Sequence, residues 1–98
     1  METFNEVISA NQLVLVDFFA TWCQPCQMMH PILEQLKASV GDKLRIIKVD
    51  VDRHSDVAAQ WHIQSVPTLM LFRNGEVLYR NSGVMDKAEL MALLDPFM

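Results

Sequence analysis

The chain has 98 residues, of which 51% are hydrophobic and 20% charged, with three glycines and four prolines. That length and balance fit one domain, residues 1–98, built round one sizeable core, and exclude disordered, collagen-like and low-complexity classes. The net charge of −4 comes without a basic cluster, so the phosphate-neutralising surface that nucleic-acid binding requires is missing.

At the start, Phe4, Val7 and Ile8 stand at i, i+3 and i+4, which predicts a short amphipathic helix ending near Asn11. The acidic run Glu2 to Glu6 has no signal-peptide layout, and a cytoplasmic address is expected. Leu13 to Ala20 is a continuous apolar, β-branched and aromatic run, the pattern of a strand covered on both faces. It is too short to span a bilayer and contains Asp17, so no membrane partner is expected.

After two cysteines, Met29, Ile32, Leu33, Leu36 and Val40 repeat at helical spacing up to Gly41, with Pro31 expected to kink the helix. Leu44 to Asp52 reads as a second strand, making a right-handed parallel βαβ unit with the first. Ser55 is the expected cap of a third helix running to Trp61. Thr68 to Phe72 and Val77 to Tyr79 flank Arg73-Asn74-Gly75-Glu76, whose Asn-Gly pair is a strong hairpin signal. Asp86 and Glu89 have capping-box spacing and open a last helix that stops at Asp95-Pro96.

The chemistry centres on Trp22-Cys23-Gln24-Pro25-Cys26. A disulfide across so short a loop stabilises a fold little, so the pair is expected to serve chemistry. Thiol–disulfide exchange needs an attacking thiolate and a second thiol to resolve the mixed disulfide. A C-x-x-C opening a helix supplies both: Cys23 meets unpaired N–H groups and the positive end of the dipole, which lower its pKa, while Cys26 sits one turn in. Pro25 suits an early helical position because its missing N–H has no intrahelical partner there. A zinc half-site stays open as an alternative, with His30, His54 and His62 as nitrogen donors, although no second C-x-x-C or paired histidine motif follows.

Asp17 is the second feature, an ionisable group in an apolar strand, where an unpaired carboxylate is costly. It reads as a proton carrier for Cys26, expected to point under the helix that follows the cysteines. A strand-end Asp that is exposed or bonded to backbone stays open beside it. Whether Val66-Pro67 is cis or trans is not decided by the residues.

Val16 to Cys26, Lys48 to Asp52, Val66-Pro67-Thr68, Phe72 to Glu76 and Gly83, in that order, resemble the thioredoxin family over essentially the whole chain. The resemblance implies a thioredoxin-like three-layer α/β fold with a mixed four-stranded central sheet flanked by helices. It implies protein disulfide reduction, with Cys23 as nucleophile, Cys26 as resolving thiol, Asp17 as buried acid–base group with Lys48 beside it, and Pro67 as cis. The Val66 backbone then pairs with an extended substrate segment. Trp22, Val66, Pro67, Gly83 and Val84 form the docking surface around Cys23, together with Gln24 and Pro25. Implied partners are protein disulfides and a flavoprotein thioredoxin reductase, with no cofactor and a monomeric chain. An isomerase or oxidase on the same fold, and a non-catalytic binding module, are the competing functions.

Three departures from the family pattern stand out. Gln24 replaces the usual loop glycine, Gln27 replaces the usual lysine, and the twelve residues before Leu13 have room for a helix but no strand. The Leu44 to Asp52 strand is therefore expected at a sheet edge, partly protected by Arg45 and Lys48.

Overall fold

The computed structural model describes residues 2–98. Helix α1 (Phe4–Ser9) opens at Thr3, whose side chain accepts the Glu6 N–H while Glu6 reaches back to the Thr3 backbone. Strand β1 (Val14–Phe19) follows, then the long helix α2 (Gln24–Val40), strand β2 (Arg45–Asp50), helix α3 (Ser55–Gln60), strands β3 (Thr68–Arg73) and β4 (Glu76–Ser82), and helix α4 (Lys87–Leu94). The elements come in the expected order, with ends moved by up to three residues. The largest extension is in β4, which runs on to Ser82 because its pairing with β3 continues to Thr68.

The sheet is ordered β2-β1-β3-β4, with β1 and β2 parallel and the other two pairs antiparallel. β2 is an edge of the described sheet, as expected from the short N-terminal segment. Arg45 on that edge pairs with Glu2 at 2.8 Å, an exposed ion pair that contributes little stability. Asn74 and Gly75 both have positive φ, as a tight two-residue hairpin requires. Their amides donate to the Ala10 and Ile8 carbonyls and so fasten the hairpin to α1.

Ser55 does not cap α3. It is already the first helical residue, and His54 before it supplies no side-chain cap. The turn is held instead by the buried Asp50 carboxylate, which accepts the N–H groups of Asp52 and Arg53 at 2.9 and 3.4 Å. The Asp50 carboxylate thus holds the turn ahead of the helix, and α3 itself opens without a side-chain cap.

Side chains alternate across β1 and divide the core in two. Leu13 and Leu15 face α2 and α4 with Met29, Leu33, Leu36, Leu90 and Leu94. Val14, Val16 and Phe18 face α1 and α3 with Val7, Ile8, Met70 and Phe72. A strand buried on both faces has to read as an unbroken apolar run, and Asp17 is the exception within it. Leu36 is fully buried in the first half. Leu36→Ala removes that packing and is expected to cost about 3 kcal/mol, measured as a lower urea midpoint with an unchanged slope.

Candidate functional site: a disulfide at a helix start

Cys23 is the N-cap of α2 and Cys26 its third residue. The two are joined by a disulfide, with Cα atoms 5.3 Å apart. The Cys26 N–H donates to the Cys23 sulfur at 3.2 Å, the capping position that favours negative charge on that atom once the bond is reduced. Cys23 retains slight exposure while Cys26 has none, so the two sulfurs differ in access. Pro25 occupies the first turn and Pro31 lies inside the same helix.

The segment before β3 meets the pair from the other side. Val66–Pro67 is cis, and the Val66 carbonyl lies 3.7 Å from the Cys23 sulfur. Thr68 donates its hydroxyl to the Ser65 carbonyl at 2.8 Å, and the Gly83 amide donates to the Pro67 carbonyl at 2.9 Å. Gly83 has φ of +106°, which an L side chain adopts only with strain. Ala20, Cys23 and Cys26 form a small buried cluster with Phe19, Val51 and Val66 packed against it.

Trp22 is 71% exposed, so it is not a core-edge ring. Its indole N–H donates to the Asp52 carboxylate at 2.9 Å, and the ring borders a groove of about 340 Å³ shared with Val51, Ile63, Gln64, Ser65 and Val66. Val84 is also exposed, while Pro67 is buried. Gln24 and Pro25 lie exposed between the cysteines, and Gln27 donates to the Thr21 carbonyl at 3.4 Å. The Asp52 partner of Trp22 carries no signal in the sequence, where it reads as the end of a strand. Met28, 59% exposed on α2, is likewise indistinguishable by sequence from a core methionine.

Asp17 is fully buried, and neither carboxylate oxygen has a hydrogen-bond partner. Alternation places it on the α2 face of β1, between Leu15 in the main core and Phe19 beside Cys26. Lys48 stands opposite it in the β1–β2 register. Burial drives the Asp17 pKa up to about 6, and the nearby Lys48 charge opposes that rise without cancelling it. The alternative of an exposed or backbone-bonded Asp is removed. His30, edge-on to Phe19 at 5.3 Å, also feels Lys48, and its pKa is lowered chiefly by burial.

Among the described residues no three His, Cys, Asp or Glu side chains gather as a metal site. No described helix is long and apolar enough to cross a membrane.

Known proteins resemble this chain in sequence and in fold. The thioredoxin family model matches residues 1–96. The thioredoxin of Chlamydia caviae is 47% identical over 94 residues, covering 96% of this chain and 90% of that protein. A bifunctional thioredoxin reductase/thioredoxin of Mycobacterium leprae is 41% identical over 88 residues, 90% of this chain and 19% of the longer protein. Among solved structures, thioredoxin-2 of the malaria parasite superposes with a TM-score of 0.85 at 30% identity, covering 88% of this chain and 84% of that one. The chain belongs to the thioredoxin family and, with its Cys23–Cys26 pair on that fold, is a thiol–disulfide oxidoreductase.

Proposed function

We propose that the chain is a general protein disulfide reductant in which Cys23 attacks and Cys26 resolves. The observation that carries the assignment of roles is the placement of Cys23 as the N-cap of α2, its sulfur accepting an amide and edged by the Val66 carbonyl, with Cys26 wholly buried behind it. The Cys23 thiolate attacks one sulfur of a target disulfide, forming a mixed disulfide and releasing the other target sulfur as a thiolate. Cys26 gives its proton to Asp17 and attacks the Cys23 sulfur, which frees the second target thiol and closes Cys23–Cys26. Two electrons pass to the target, and its released thiolates take their protons from solvent and from Asp17, which returns to its carboxylate. Lys48 holds the Asp17 charge once it ionises. Trp22, Gln24, Pro25, Val66, Gly83 and Val84 form the surface on which the target docks, over the buried Pro67, with the target's extended segment pairing with the Val66 backbone.

Recharging reduces Cys23–Cys26 by two electrons, and a flavoprotein thioredoxin reductase is the proposed donor. The fusion named in the Mycobacterium leprae relative supports that partner. The protein acts as a monomer in the cytoplasm, a compartment that keeps thiols reduced. Equilibration with glutathione tests the direction of electron flow. A midpoint near about −270 mV is expected, and one above roughly −180 mV overturns the reductant in favour of an oxidase or isomerase.

A further inference from the structure

Arg80 is an exposed cation on β4, remote in sequence from both cysteines, yet its guanidinium reaches across the sheet to the segment that borders the disulfide. It stands opposite Met70 in the β3–β4 register, with Nη1 3.9 Å from the Met70 sulfur. Nη1 donates to the Trp61 carbonyl at 2.6 Å and Nη2 to the His62 carbonyl at 2.7 Å. These carbonyls close α3, where acceptors lack helical partners and the dipole favours a cation. His62 has φ of +54°, an uncommon conformation for a residue with a side chain, and it turns the chain out of the helix. From there Ile63, Gln64, Ser65 and Val66 line the groove beside Trp22. The far end of this segment is held by the Thr68 hydroxyl, which donates to Ser65 and contacts Ser82 at 3.0 Å.

We infer that Arg80 is a positioning residue for substrate: its two-pronged hold on the Trp61 and His62 carbonyls sets the path of Ile63–Val66 and hence the alignment in which Val66 receives an extended target segment. The inference rests on the docking role proposed above for Val66. A planar fork suits two successive carbonyls, whereas a lysine ammonium reaches one of them. Arg80 contacts neither cysteine nor Asp17, so its influence falls on binding and leaves the exchange step and the potential alone.

Arg80→Met keeps an apolar stem over Met70 and removes the fork. With a disulfide-bonded peptide as probe, it is expected to raise KM about fivefold, with kcat within twofold and the dithiol potential unchanged. Arg80→Lys restores part of the loss. In Cys26→Ser protein trapped as a mixed disulfide with the same peptide, Val66 amide exchange is slowed by the bound segment, and adding Arg80→Met reduces that protection. An unchanged KM in both variants overturns the inference, as does a change in potential, which a role confined to binding does not produce. Absence of Val66 protection while Arg80 is intact overturns the Val66 docking role itself, and with it the basis for Arg80. Val66 protection that persists undiminished when Arg80→Met is added overturns the Arg80 assignment alone.

Discussion

Cys23→Ser is expected to abolish reduction of protein disulfides, a loss of at least about a thousandfold against the intact dithiol. The serine hydroxyl stays protonated at neutral pH and leaves no sulfur at the N-cap of α2 to form the mixed disulfide. Cys26 is no substitute, since it is fully buried in the cluster with Ala20 and Cys23. Cys26→Ser is expected to fail differently. Cys23 still attacks, but the mixed disulfide then has no internal thiol to resolve it, so a covalent adduct accumulates while turnover is lost. Mass spectrometry of each variant after mixing with a disulfide-bonded protein separates the two: adduct with Cys26→Ser and none with Cys23→Ser. The reverse pattern would assign the nucleophile to Cys26, and undiminished reduction by Cys23→Ser would leave the thiol pair without a catalytic role.

Much of this architecture is legible in the sequence because each element obeys one dominant constraint. β1 is covered on both faces, so its residues are apolar but for Asp17; α2 is covered on one, so its apolar residues repeat at three and four. Asn74-Gly75 fixes the hairpin because both residues adopt positive φ at low cost. The start of α3 is not legible at Ser55, since the turn before it is held through the Asp52 and Arg53 amides by Asp50, at the end of β2, and the helix opens with no side-chain cap.

The site divides along the same line. Cys23, Pro25 and Cys26 are readable because their spacing within one helical turn is itself the chemistry. Residues that meet only in space are not. Asp52 pins Trp22 from thirty residues away, and Arg80 holds the end of α3 from eighteen and nineteen away. Neither contact leaves a periodic or local trace. The cis geometry at Pro67 entered through likeness to a family, since the residues themselves allow both isomers.

Asp17 carries the second large effect, and it falls on stability. Its folded pKa is raised from 3.8 to about 6 by burial. Between those values the folded chain keeps a proton that the unfolded chain has released, so stability falls as pH rises through the window from about 4 to about 6. Above it the folded state carries the full cost of an ionised buried carboxylate, about 3 kcal/mol for a rise of roughly two pH units. Asp17→Asn removes the charge at nearly constant volume. It is therefore expected to stabilise the fold by up to about 3 kcal/mol at pH 7, with the gain vanishing near pH 4, as read from urea unfolding across pH. The same variant is expected to slow release of the mixed disulfide by Cys26, because an amide accepts no proton from that thiol. The deficit is widest above about pH 6, where the wild-type carboxylate is ionised, and narrows below it, where wild type loses its base as well. A chain that is stabilised by losing Asp17 and slowed by the same change keeps a costly buried charge for its reactivity. A gain over wild type no larger at pH 7 than at pH 4 would refute the burial cost, and an unchanged release rate would take the proton transfer away from Asp17.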